Sequence, residues 1–226
     1  VPANFLKLNS FFGLHPSLKS FSSLMAANNA SIIHATSFPY AKRSHFEGQN
    51  LMQGGGLSPF SETTGWLGRA LDLAKTPGRS LSLDMPLILR GSIENDNFYP
   101  ASIKSSGKLM TQLINTISKA HSQNESEIFA KVSKKSTQKA VNIPRDPASL
   151  AKFAGKAMAQ DGGPLASVIK VDQFDTHARQ GADENGHHGV RLTVIDDIIA
   201  GLKEGLGDAW DRSIVLTLTE FGRTVA

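Results

Sequence analysis

Two short apolar runs, Ala166-Ser-Val-Ile-Lys-Val171 and Ile214-Val-Leu-Thr-Leu-Thr219, bracket the most regular amphipathic stretch of the chain. Between them Leu192, Ile195, Ile199, Leu202 and Leu206 step by three and four, and Gly205 and Gly207 end the pattern. Short apolar runs read as buried strands, and the 3.6-residue period reads as an amphipathic helix. Strand Ser167 to Phe174, helix Val190 to Leu206 and strand Ser213 to Thr219 therefore form a βαβ unit. Such a unit implies a parallel strand pair with a right-handed crossover. The expectation is an α/β fold with a mostly parallel central sheet flanked by helices. In open α/β sheets, sites form in the crevice beyond the carboxyl ends of the strands. Both runs end in chemistry there: Asp175-Thr-His177 after the first, Glu220-Phe-Gly-Arg-Thr224 after the second.

The rest of the chain fits around this unit. Leu14 to Ala27 reads as a helix, with Pro16 in its first turn, where a missing N–H is tolerated. A short strand over Ala30 to Ala35 and a polar loop over Ser37 to Gln53 follow. A helix begins after Ser61-Glu-Thr-Thr64, with Trp66, Leu67, Ala70, Leu71 and Ala74 as its buried stripe, and Met85 to Arg90 reads as a strand. Residues 100–160 read as a helical layer or insertion within a single α/β domain over 1–226. The start Val1-Pro-Ala-Asn4 and the stop at Ala226, just after a strand, suggest an interior fragment of a longer chain.

Composition excludes several classes. There are no cysteines, so disulfides, thiolate metal sites and a cysteine nucleophile are out. No apolar run reaches the ~18 residues of a transmembrane helix. The net charge of +4 is spread along the chain, and the densest basic run, Lys131 to Lys139, lacks aromatic interleaving. That argues against nucleic acid as a partner.

Three polar clusters are the candidates for chemistry. Asp175 and His177 suit a divalent metal such as zinc or manganese, or a general acid/base pair. The plainer alternative is an Asp turn with a His closing the loop. Glu220 follows a fully apolar strand, where a carboxylate must be solvated, metal-bound or paired; Arg223 is the obvious pair. In the expected loop, Ser44 serves as a nucleophile only with a base or metal beside it, and Arg43 suits bidentate contact with an anion. His45 stands next to both, and a metal-free serine hydrolase using His45 or His177 is a weaker variant. There is no Gly-x-Ser-x-Gly elbow and no phosphate-binding glycine loop.

Five stretches together carry a resemblance: Phe12-Gly-Leu-His-Pro16, Arg43-Ser-His-Phe-Glu47, Gly65-Trp-Leu-Gly-Arg69, Asp175-Thr-His177 and Thr219-Glu-Phe-Gly-Arg-Thr224. The chain resembles the bacterial proteins of "domain of unknown function 1501", within the alkaline phosphatase/sulfatase-like superfamily. The resemblance implies a mostly parallel sheet between helical layers and a site with one or two divalent metals (zinc, manganese or calcium). It implies Ser44 in the nucleophile loop and Asp175, His177 and Glu220 as metal ligands. It also implies a periplasmic or exported location. The sequence departs from the superfamily pattern at Gln173, four before His177, and at Glu220-Phe221, where an Asp-His pair is usual. Gly-Gly-Asn-Asp and Gly-Thr-Asp-His-Gly stretches, usual in the family, are not in this chain.

Two functions follow as expectations. One is a metal-dependent hydrolase of phosphate or sulfate esters, with an anionic ester as its partner. The other is a non-catalytic member of the same fold acting as a binding or assembly module.

Overall fold

A computed structural model describes residues 4–76, 78–80, 85–91, 96–97, 146–181, 183–220 and 222. Cα proximity divides the chain into Val1–Tyr99 with Asp146–Ala226, and Pro100–Arg145. The second unit lies outside the described residues, as does most of the helical layer expected over 100–160. All the described elements belong to the first unit.

They run β1 (Leu6–Lys7), β2 (Gly13–Leu14), α1 (Lys19–Ala26), α2 (His45–Gly54), α3 (Trp66–Ala74) and β3 (Gly78–Ser80). A 3-10 turn at Leu87–Leu89 comes next, then β4 (Asp96–Asn97), α4 (Pro147–Met158), β5 (Ala166–Val168) and α5 (His187–Leu206). A second 3-10 turn, Gly207–Arg212, closes the series. β1 and β2 form an antiparallel pair. β3 lies between β4 and β5 and is parallel to both, with Gly78 opposite Ala166 and Ser80 opposite Val168. The fold is thus mixed α and β, with a three-stranded parallel ladder. Among the described residues the ladder does not extend to the central sheet expected from the sequence.

The expected βαβ unit is met only in part. Its helix is α5, and its first strand shortens to β5. The run Ile214 to Thr219 pairs with no strand among the described residues, and Ile214 and Leu216 are 94% and 60% exposed. Ala30 to Ala35 likewise forms no strand, and Ile33 is 73% exposed. Apolar composition marks a segment that can pair, but a ladder also requires a neighbouring strand in register. The expected strand at Met85 to Arg90 is a 3-10 turn that tucks Ile88 and Leu89 into a cluster with Leu71, between Pro86 and Gly91.

α4 and α5 make the closest helix pair. A Cβ on Gly201 would lie 2.1 Å from the Ala148 carbonyl oxygen, and one on Gly205 would lie 2.2 Å from that of Lys152. The contacts advance by four residues on both helices, so the two run in the same direction. That is the geometry of successive helices joined through a strand, here β5. Ala151, Ala154 and Leu202 form the buried seam, and Leu150, Ile169, Ile198 and Trp210 pack around it.

α1 starts at Lys19, later than the sequence periodicity suggests, because Gly13–Leu14 is drawn into β2. Leu18 supplies no side-chain cap. The buried Asp196 of α5 accepts the Ser20 and Phe21 N–H groups at 2.8 and 2.9 Å. These are donors that a helix N-terminus leaves without internal partners.

Candidate metal centre

The stretch expected to be a polar loop holds α2, which positions the first donor. Ser44 is its N-cap: its backbone is extended, and its hydroxyl accepts the Glu47 N–H at 3.4 Å. Ser44-His-Phe-Glu47 has the capping-box spacing, a signal that was legible in the sequence. The reciprocal half is modified. The Tyr40 hydroxyl takes the Ser44 N–H at 3.1 Å and donates to Glu47 Oε2 at 2.8 Å. Desolvation, with Glu47 beside it, raises the Tyr40 pKa, which keeps the hydroxyl a donor. His45 is the first residue of the helix proper.

The other end of α2 is tied down. The Trp66 indole N–H donates to the Met52 carbonyl at 3.1 Å, and Arg69 Nη2 donates to the Gly54 carbonyl at 2.8 Å. Both carbonyls belong to the last turn, whose oxygens have no partner within the helix. Gly55 leaves the helix with φ 71°, the left-handed conformation that glycine adopts without strain. Gly65 and Gly68 let α3 lie against the backbone at 87–90: a Cβ would meet the Leu87 carbonyl oxygen at 2.1 Å and that of Arg90 at 2.3 Å.

The second and third donors come from the loop after β5. Gln173, His177 and Arg179 all have positive φ, at 73°, 45° and 54°. Three non-glycine residues in that region within seven positions mark a strained segment, and such strain clusters at functional sites. The loop carries Asp175 to His45: Asp175 Oδ2 lies 2.8 Å from His177 Nε2 and 3.4 Å from His45 Nε2. One donor atom from each of His45, Asp175 and His177 lies within 4.8 Å of the other two. Bonds of about 2.0–2.2 Å to a tetrahedral zinc place its donors roughly 3.4 Å apart. The His45–Asp175 separation already has that value, and the 2.8 Å separation needs to open by several tenths of an ångström.

Glu220 approaches from the other side. Its Oε1 lies 2.7 Å from His45 Nδ1 and accepts the Gln49 amide N–H at 3.2 Å. Burial alone would raise the Glu220 pKa. The hydrogen bond from His45, a backbone N–H, the Gln49 amide and the His45 charge outweigh it and hold the carboxyl below the ordinary glutamate range. Its side chain is 22% exposed, whereas that of His177 is 82% exposed and faces solvent.

His45, Asp175, His177 and Glu220 thus converge from three separate stretches of chain. Ser44 precedes His45, but its hydroxyl is engaged at the helix cap. Arg43 is exposed and makes no hydrogen bond or ion pair with the four among the described residues. Sequence reading missed Gln49. It lies four residues after His45, on the same helix face, and that spacing was the available signal. His187 and His188 stay out of the cluster, and the His188 ring packs against Phe174 and His15. Arg223 lies outside the described residues.

A family model described as "Protein of unknown function (DUF1501)" matches residues 15–226. The chain belongs to the DUF1501 family. No curated protein and no solved structure matches it. Within this DUF1501 chain, the stretch Gly65-Trp-Leu-Gly-Arg69 has a structural role: its glycines admit the 87–90 backbone, and Trp66 and Arg69 hold the end of the helix that presents His45. No helix among the described residues is long and apolar enough to cross a membrane.

Proposed function

We propose that this DUF1501 protein holds a divalent metal at His45, Asp175 and His177 and hydrolyses phosphate or sulfate esters. The convergence of two imidazoles and a carboxylate on one point carries this reading. Two anionic or lone-pair donors this close repel unless a proton or a cation lies between them. Two nitrogens and one oxygen suit zinc or manganese better than calcium, which prefers an all-oxygen shell. When bound, such an ion supplies Lewis acidity and positive charge at an ester oxygen. In this reading Arg43, next to Ser44 in the sequence, takes the remaining anionic oxygens bidentately. Ser44 is the nucleophile in this reading, and its long hydrogen bond from Glu47 is weak enough to give up. In this reading the three-stranded parallel ladder is part of the alkaline phosphatase/sulfatase-like fold that the family resemblance implies. The family resemblance supports an exported location, which cell fractionation checks.

The test is metal content of the purified protein by mass spectrometry, with Asp175→Ala alongside. Near-stoichiometric zinc or manganese that vanishes in the variant supports the centre. A well-folded protein without metal, even after reconstitution, overturns it. Ester screens on the loaded protein then address hydrolysis. The second reading is a binding or assembly module, favoured by the engagement of Ser44 as a helix cap. Metal binding without turnover on any phosphate or sulfate ester supports that reading, and turnover abolished by Ser44→Ala excludes it.

A further inference from the structure

Glu220 was expected among the metal ligands, but its position relative to His45 argues for a different task. The His45 ring stands between the two carboxylates, with Asp175 Oδ2 on its Nε2 side and Glu220 Oε1 on its Nδ1 side. His45 Nε2, Asp175 and His177 would hold the ion beyond the Nε2 edge of the imidazole, the edge turned away from Glu220 Oε1. That oxygen lies 2.7 Å from His45 Nδ1 and accepts the Gln49 amide N–H at 3.2 Å. A neutral imidazole carries one N–H and one lone pair, and the hydrogen bond at one nitrogen decides which nitrogen remains free for a metal.

We propose that Glu220 is a positioning residue that holds the proton on His45 Nδ1, so that Nε2 is presented to the metal, with Gln49 fixing Glu220 in turn. A carboxylate in this place orients the ring and makes the ligating nitrogen more basic. It also gives a largely buried glutamate at the end of an apolar segment its two hydrogen-bonding partners, the imidazole nitrogen and the amide N–H. Gln49 belongs to the device because it rides on the helix that carries His45. One rigid element therefore sets the spacing of ring and amide, and Glu220 is received between them.

This inference rests on the metal reading of the same site, and the experiment separates the two. Cobalt(II) is titrated into the full chain, and both the ligand-field absorption spectrum and the dissociation constant, by competition with a chelator, are recorded. The comparison covers the unaltered protein, Glu220→Gln, Gln49→Leu and His45→Ala. Loss of an outer carboxylate weakens metal binding by about 10- to 100-fold while the donor set persists. Glu220→Gln is expected to fall in that range with an unchanged spectrum, Gln49→Leu to weaken binding less and also leave the spectrum unchanged, and His45→Ala to change the spectrum. In the zinc-loaded protein the His45 Nδ1–H proton resonance is expected to be slowly exchanging and to shift or vanish in Glu220→Gln. A spectral change in Glu220→Gln matching the loss of a donor makes Glu220 a ligand and overturns the inference. So does unchanged cobalt affinity in that variant. If Glu220→Gln fails to fold, Gln49→Leu decides by the same two readouts. Failure of the unaltered chain to take up cobalt overturns the metal reading, and this inference with it.

Discussion

Asp196 accepts the backbone N–H of Ser20 at 2.8 Å, across 176 residues of sequence. The same carboxylate takes the Phe21 N–H, so one buried side chain of α5 serves as the N-terminal cap of α1. A negative charge there also complements the positive end of the helix dipole.

Asp196→Ala is expected to destabilise the fold by about 2–3 kcal/mol, because two part-buried N–H groups of α1 lose a charged acceptor. Asp196→Asn retains one acceptor oxygen and is expected to lose roughly half as much, since charge-assisted hydrogen bonds are about twice as strong as neutral ones. Urea denaturation of the two variants checks the order.

Gly201→Ala sets two effects against each other. Alanine favours a helix interior over glycine by about 1 kcal/mol. The new methyl would lie 2.1 Å from the Ala148 carbonyl oxygen, a backbone atom that cannot turn aside. Overpacking costs about 1–3 kcal/mol, and more when rigid atoms must separate. Net destabilisation is expected, with Gly205→Ala similar because Lys152 presents its carbonyl in the same way. A helical glycine facing solvent would respond in the opposite direction, so thermal melts give a sign as well as a size.

Asp146 gives the pH dependence. It caps α4, where the Ser149 backbone N–H, at 2.8 Å, and then the Ser149 hydroxyl hold its carboxyl below the ordinary aspartate range. The folded chain therefore binds this proton less readily than the unfolded chain. The stabilisation is fully present above the unfolded value of about 3.9. It is lost as pH falls through the lower folded value. Asp146→Asn keeps a capping oxygen that does not titrate, so the stability difference between the two proteins is expected to shrink over that acid window.

Ser44 separates capping from catalysis. Ser44→Ala is expected to cost about 1 kcal/mol through loss of the α2 cap. Ser44→Asn keeps a capping oxygen and is expected to melt near the unaltered protein. If Ser44 is also the nucleophile, both variants lose ester turnover, whereas a pure cap leaves Ser44→Asn active.

The parts of the fold that were readable in the sequence are those whose stability is local. α5 declares itself through Leu192, Ile195, Ile199, Leu202 and Leu206, and α3 through Trp66, Leu67 and Leu71, whereas Ala70 and Ala74 of its expected buried stripe are exposed because the helix turns Gly68 and Leu71 inward instead. α2 was missed because its apolar residues are few, although Ser44 and Glu47 carried a capping signal. The segments Ala30 to Ala35 and Ile214 to Thr219 have the composition of strands, but composition says nothing about which strand lies alongside. In the candidate site, Asp175, His177 and Glu220 stood out by residue type, but the strand ends expected to place them are absent: β5 stops at Val168 and Ile214 to Thr219 forms no strand among the described residues. The placement of His45 between them was not legible, because it depends on Trp66 and Arg69 holding the far end of its helix.

The two hydrophobic clusters have a consequence for observing this protein. The chain has only two tryptophans, and the clusters take one each: Trp66 lies against Leu71, Ile88 and Leu89, and Trp210 against Ala151, Ala154 and Leu202. Replacing either by phenylalanine leaves a single intrinsic fluorophore in a known neighbourhood. Two emission curves recorded during unfolding then report whether the α3 region and the α4–α5 seam lose their packing together or in turn.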